Sequence, residues 1–332
     1  MHPSWSLSLV LAFAAPAAVC SGTSAPMPSA DSAPRASLFA NAAPGVRLQY
    51  LDFGGSGDTL ILLAGAGNSA YIFDYFAPLL TDSFHVYAMT RRGFGESSRP
   101  ASGYDTKTLS EDILAFMDVV GVTRADIVGH SIAGAEMTRL ADDHPDRVNK
   151  LVYLDAAYDW LLMSEATMIP SPPAQPRPDT SDLASPRAFA AYLAKMEGVP
   201  DYPESDVIAT WIFSSNGRLL RPVTPAAIVA AVGTGAAARH PDYADVRAPA
   251  LAIYTVPEST KDMFPWISRS QAQARVAAAY FTFAQALLAT QRANFSAAAP
   301  KASVVEMTGL PHYVFLLEPN VVAQYIKTFL LQ

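Results

Sequence analysis

A single cysteine in 332 residues, Cys20, leaves no partner for an intrachain disulfide, so the fold must stand on its apolar core. Histidine is also scarce, and neither an HExxH nor a CxxC spacing occurs. A protein-built metal site is therefore not expected, and no cofactor is implied. Charge is thin: only 16% of residues carry it, no run of like charges marks a tail, and acidic residues outnumber basic ones to give −7. Without a basic stripe, nucleic acid is excluded as the expected partner. What the chain has is apolar mass. At 51% hydrophobic it can bury a large core, which rules out disorder throughout. Its length suits one large α/β domain with an insertion, or two ordinary domains.

The apolar stretch near the N-terminus, Leu7 to Val19, is too short to span a bilayer and suits the h-region of an export signal. No Lys or Arg precedes it, and a buried N-terminal helix is the alternative reading. Ala15-Pro16-Ala17 and Ala18-Val19-Cys20 offer cleavage contexts, so residues 1–22 are expected to be removed and the protein exported, periplasmic or secreted, with no membrane span left. Lipid anchoring through Cys20 is a second option, although Ala17-Ala18-Val19 departs from the Leu-small-small pattern of such sites. Residues 23–44, mostly Ala, Ser and Pro, read as a leader without packed structure.

Beyond that leader, strands and helices alternate. Val46 to Phe53 alternates like a half-exposed strand and Gly54 to Asp58 reads as a turn, while Thr59 to Leu63 reads as a strand buried on both faces. Strands follow at Phe84–Met89, Ala125–Val128, Lys150–Leu154, Ala250–Tyr254 and Ala302–Met307. Helices are expected over Thr108–Val120, Ala133–Asp142 and about Asn320–Leu330. This βαβ rhythm predicts an α/β fold: a mostly parallel sheet covered by helices. The rhythm breaks over residues 156–248, a stretch too long for a loop, which is expected to be a helical insertion; residues 45–155 and 249–332 form the core.

Gly129-His130-Ser131-Ile132-Ala133-Gly134 lies between a predicted strand and a predicted helix. In that context it reads as a nucleophile elbow, a turn so tight that the positions two before and two after Ser131 must be small. The helix N-terminus beneath Ser131 favours developing negative charge.

Four places together resemble the α/β-hydrolase superfamily, in its capped esterase and proline-iminopeptidase-like branch. They are Ala64-Gly65-Ala66-Gly67, Arg92-Gly93-Phe94-Gly95-Glu96-Ser97, the elbow, and Gly309-Leu310-Pro311-His312. The resemblance runs from about Val46 to the C-terminus, with the insertion matched loosely. It implies Ser131 as nucleophile and His312, after the last strand, as general base. For the acid it favours Glu258, just after the strand that follows the insertion; Asp155, at the end of an earlier strand, is the rival, and Asp262 a more distant one. The backbone N–H groups of Ala66 and Ile132 are implied as the oxyanion hole, with Ala64 where the family usually has His. His130 is read as structural, and His85, His144 and His240 lack a catalytic context.

The expected activity is hydrolysis of a small or medium hydrophobic ester through an acyl-enzyme, with a small molecule as partner and the oligomeric state open. Tyr158, Trp160, Leu161, Met163, Tyr192, Trp211 and Phe213 are candidates for an apolar pocket lining or for packing of the insertion. Dehalogenases and epoxide hydrolases of this fold use Asp as nucleophile, which Ser131 excludes. Two alternatives stay open: a prolyl aminopeptidase or amidase, in which Glu197, Glu204 or Asp206 would hold the substrate amine, and a ligand-binding protein without turnover.

Overall fold

The computed structural model describes residues 35–267 and 270–332. The expected signal segment with Cys20, and the leader as far as residue 34, lie outside the described residues. In chain order the first part of the fold comprises β1 (Ala36–Ala43), β2 (Val46–Gly54), β3 (Asp58–Leu63), β4 (Phe84–Met89), α1 (Thr106–Val119), β5 (Ala125–His130), α2 (Ala133–Asp143) and β6 (Val148–Leu154). The insertion then holds α3 (Trp160–Glu165), α4 (Pro186–Glu197), α5 (Glu204–Thr210), β7 (Trp211–Phe213), β8 (Leu219–Pro222) and α6 (Ala226–Ala236). The chain closes with β9 (Ala250–Val256), α7 (Thr260–Met263), α8 (Gln271–Ala298), β10 (Ser303–Thr308), α9 (Val314–Leu317) and α10 (Pro319–Leu330).

Eight strands form one sheet in the order β1-β2-β4-β3-β5-β6-β9-β10. β1 and β2 are antiparallel to their neighbours and the rest are parallel. The apolar runs in the sequence are continuous because the central strands are buried on both faces. Ile61, Ile127, Leu151 and Tyr254 pack on one side with α1, α2 and α8, while Leu60, Val128, Val152 and Ile253 pack on the other with α9 and α10. α8 buries Ala277, Tyr280, Ala284, Leu288, Gln291 and Phe295, a helical stripe of three- and four-residue steps.

Two expectations need correction. The last part of the supposed leader, Ala36–Ala43, is strand β1, paired antiparallel with β2 from Ala36↔Asp52 to Asn41↔Arg47 and, after a shift of register, at Ala43↔Val46. Its pairing rests on backbone bonds and an alanine-rich face, with Arg47 stacked 3.9 Å from the Phe39 ring centre, so its composition resembled a linker. The Pro44-Gly45 turn that closes the hairpin, with Gly45 at φ +73°, was the available signal. The insertion is also not wholly helical, because β7 and β8 form an antiparallel hairpin within it.

Register fixes the site. His130 pairs with Leu154, and Leu154 with Ile253, so the C-terminal ends of β5, β6 and β9 reach one edge of the sheet together. Ser131 and Asp155 directly follow β5 and β6, and Thr255 is the next-to-last residue of β9.

Candidate active site

Ser131 follows a fully buried strand and turns the chain into α2 with φ +57°, a left-handed conformation that non-glycine residues rarely adopt. Its backbone N–H donates to Leu154 O at 3.2 Å, which locks the turn to β6. Small neighbours permit it. A Cβ on Gly129 would meet Met137 Sδ at 2.4 Å, and one on Gly65 would meet His130 Nδ1 at 2.9 Å and Ser131 Cβ at 3.2 Å. Gly134 has a different reason to be glycine: a Cβ there would fall 1.9 Å from Ala156 O, so α2 runs against the backbone leaving β6.

At the end of β6, Asp155 also takes a positive φ, +45°, and is almost wholly buried. Its carboxylate accepts from Thr255 N (3.1 Å), from Thr255 Oγ1 (2.8 Å) and from the Tyr158 hydroxyl. Asp155 Oδ2 lies 2.7 Å from His312 Nδ1. Burial, with the Asp155 charge adding to it, pushes the Tyr158 phenol far above its usual range, so it stays a proton donor.

The carboxylate that meets His312 is therefore Asp155, and the preference for Glu258 does not hold. β9 ends at Val256 and the chain turns outward, leaving Glu258 exposed, with its backbone N–H donating to Asp262 Oδ2 at 2.7 Å. Asp262 closes a capping box with Ser259 at the start of α7. Neither reaches the imidazole.

His312 sits in the loop after β10 and is 5% exposed. Behind it, His130 Nε2 bonds the His312 carbonyl at 3.1 Å, and the two rings lie 4.4 Å apart. Because a carbonyl only accepts, His130 must carry its proton on Nε2. Complete burial, and secondarily the neighbouring His312, hold the His130 pKa well below the usual value, so it is a neutral shelf for His312. His85, His144 and His240 pair instead with Asp52, Glu111 and Asp159.

The Ser131 hydroxyl is buried and makes no hydrogen bond among the described residues, so the Asp155–His312 half of the arrangement is formed and the serine–imidazole bond is not. Catalytic hydrogen bonds are commonly loose before substrate binds. Ile132 follows the serine and packs in one apolar cluster with Ala66, and among the described residues no hydrogen bond engages either backbone N–H.

Sequence reasoning missed what stiffens the Ala66 loop. Arg91 donates through Nη2 to Ala64 O (2.9 Å) and through Nη1 to Gly65 O (3.3 Å), while its Nε pairs with Glu136 on α2. The guanidinium thus ties the loop after β3 to the helix beneath Ser131. Burial raises the Glu136 pKa and Arg91 opposes that rise.

A second network joins the insertion to the same loop. Asp206 of α5 accepts from Ser69 N (2.8 Å) and Ser69 Oγ (2.6 Å) on one oxygen, and from Asn68 Nδ2 (2.9 Å) and the Tyr202 hydroxyl (3.3 Å) on the other. Asn68 in turn accepts at 3.0 Å from the hydroxyl of Tyr313, the residue next to His312. One polar cluster therefore holds the Ala66 loop, the His312 loop and the insertion together.

Between these parts lies a cavity of about 300 Å³, lined by Ala66 and Gly67 on one side and by residues of the insertion on the other. Of the apolar residues considered for a pocket, Tyr192 and Trp211 line it. Tyr158 instead serves Asp155, Trp160 and Met163 pack onto one face of the sheet, and Phe213 packs with the opposite core. Leu161 is not part of the lining, and Glu204 lies near Arg187.

Residues 58–192 match the family model described as alpha/beta hydrolase fold. The soluble epoxide hydrolase of Corynebacterium sp. (strain C12) is 31% identical over 126 residues, 38% of this chain and 44% of that protein, so the match spans less than half of the relative. The 2-(acetamidomethylene)succinate hydrolase of Mesorhizobium japonicum is 26% identical over 282 residues, covering 83% of this chain and 89% of that one. Among solved structures, E-2-(acetamidomethylene)succinate hydrolase superposes with a TM-score of 0.67 at 22% identity, over 90% of this chain and all of the other, a likeness of fold.

Proposed function

We propose, from the premise that this chain belongs to the α/β-hydrolase fold superfamily, that it is a serine hydrolase cleaving a carboxylic ester through an acyl-enzyme. The observation that carries this reading is the bond from His312 Nδ1 to a buried carboxylate, Asp155, one strand away from a serine held in a left-handed turn. Engaging Nδ1 makes Nε2 the nitrogen that serves as base.

In the proposed reaction, Ser131 Oγ attacks the ester carbonyl while His312 Nε2 takes its proton. The tetrahedral oxyanion is met by the N–H groups of Ala66 and Ile132. Collapse expels the alcohol, which receives the proton from His312, and leaves Ser131 acylated. Water, deprotonated by His312, then releases the acid and restores the serine. Asp155 keeps the imidazole oriented and stabilises its charged form. The insertion acts as a cap over the cavity, whose aromatic walls suit a small or medium ester.

The test is active-site labelling with a fluorophosphonate, together with ester hydrolysis by the Ser131→Ala protein. Labelling confined to Ser131 and loss of hydrolysis are expected. Undiminished turnover in the alanine variant would reject the assignment.

A further inference from the structure

Glu197, the last residue of α4, is 3% exposed and lines the cavity, yet neither of its carboxylate oxygens accepts a hydrogen bond among the described residues. A buried carboxyl group without a partner is costly, and where one persists in a cavity the missing partner is expected to come from a ligand. The neighbouring acid, Asp206, differs: both of its oxygens are already taken by Asn68, Ser69 and Tyr202.

The surroundings say what kind of partner is missing. Among the described residues no Lys or Arg lines the cavity. Five aromatic rings do: Phe189, Tyr192, Tyr202, Trp211 and Tyr313. Phe189 meets Trp211 edge to face at 4.8 Å and stacks on Tyr192 at 5.6 Å, so these rings form a continuous wall. The hydroxyls of Tyr202 and Tyr313 are committed to Asp206 and Asn68, which leaves their ring faces as what they offer. A carboxylate without a counter-ion among aromatic faces attracts an organic cation through charge pairing and cation–π contact. An anion would meet no positive side chain there.

We propose that Glu197 and the aromatic wall recognise a substrate bearing an organic ammonium group. This takes the cavity as the substrate pocket of the hydrolase proposed above, and it names the substrate class of that site. Burial pushes the empty Glu197 carboxyl up to about 8, so at neutral pH it holds a proton while no cation is bound. The titratable groups facing it are the phenols of Tyr192, Tyr202 and Tyr313, all raised further from neutrality, with Asp206 beyond Tyr202. Arrival of a cation therefore expels the Glu197 proton to solvent, and the carboxylate pairs with the ammonium.

The experiment is calorimetric titration of the folded Ser131→Ala protein with 2-(trimethylammonio)ethanol and with its neutral isostere 3,3-dimethylbutan-1-ol. The quaternary cation does not itself titrate. Expected are binding of the cation at least about tenfold tighter than the neutral alcohol, and release of close to one proton per cation at pH 7, read from titrations in buffers of different ionisation enthalpy. Release should vanish at pH 9.5, and Glu197→Gln should abolish both the preference and the release. Equal affinity for the two ligands, or a cation preference without proton release at pH 7, overturns the proposal. Because no turnover is involved, this outcome is separate from the fluorophosphonate test of Ser131.

Discussion

Thr255 donates to both oxygens of Asp155, its backbone N–H to one and its hydroxyl to the other. One residue at the end of β9 therefore orients the carboxylate at the end of β6, and that carboxylate orients His312 across the same sheet edge.

Asp155→Asn should lower kcat by about 10³- to 10⁴-fold with the fold intact, because the amide cannot stabilise the imidazolium and favours the wrong tautomer. Glu258→Gln should remain near the parent. Steady-state ester hydrolysis by the two proteins decides between the carboxylates, and the opposite ranking would restore Glu258.

Arg91→Ala should cost about 3–5 kcal/mol of stability, since it strands Glu136 as a buried charge. The double variant Arg91→Met with Glu136→Leu removes both charges and should recover most of that stability. It would still lack the clamp on the Ala64 and Gly65 carbonyls. Urea unfolding paired with kcat tests this, and recovery of stability without recovery of kcat is the expected pattern.

Gly134→Ala should destabilise by more than about 2 kcal/mol, because its methyl group would collide with the Ala156 carbonyl and force α2 away from the sheet. Placing alanine at a solvent-facing helical position, Gln324→Ala, is the control, expected within about 0.5 kcal/mol of the parent. Thermal melts of both proteins supply the comparison.

Stability should fall as pH rises through the Glu197 window. A carboxyl whose folded pKa lies above its unfolded value binds the proton more tightly when folded. Its contribution is complete at low pH and is lost between the usual 4.5 and about 8. Over that window the parent should lose roughly 4 kcal/mol relative to Glu197→Gln. Asp74 and Asp126, both raised to about 6, act in the same direction below pH 6 in both proteins and so cancel in the difference. Urea unfolding at pH 5, 7 and 9 reads the effect.

Export predicts that the mature protein begins between about Val19 and Ala30. N-terminal sequencing of protein recovered outside the cytoplasm checks this, and an intact Met1 counts against it.

The parallel sheet was legible because strands buried on both faces leave apolar runs, and the serine because its turn demands small flanking residues at fixed spacing. The carboxylate that meets His312 was harder to see. Asp155 and Glu258 each follow a strand end by one or two residues, and only the direction the chain takes after β9 separates them. Arg91 gave no signal, since an Arg-Arg pair after a strand does not reveal that two carbonyls from another loop converge on the first of them. The long helix α8 was likewise hidden, because alanine occupies its exposed face as well as its buried one and blurs the contrast between them. β1 was masked by a composition shared with linkers.

The polar cluster around Asp206 bears on engineering. The insertion looks like a cassette, placed between two strands and free to be exchanged for another recognition module. Yet its α5 holds Asn68 and Ser69, and Asn68 also binds Tyr313, the residue beside the His312 imidazole. A transplanted module lacking an acid at the position of Asp206 would leave those core loops untethered, so new selectivity and lost turnover would arrive together unless that one carboxylate travelled with the graft.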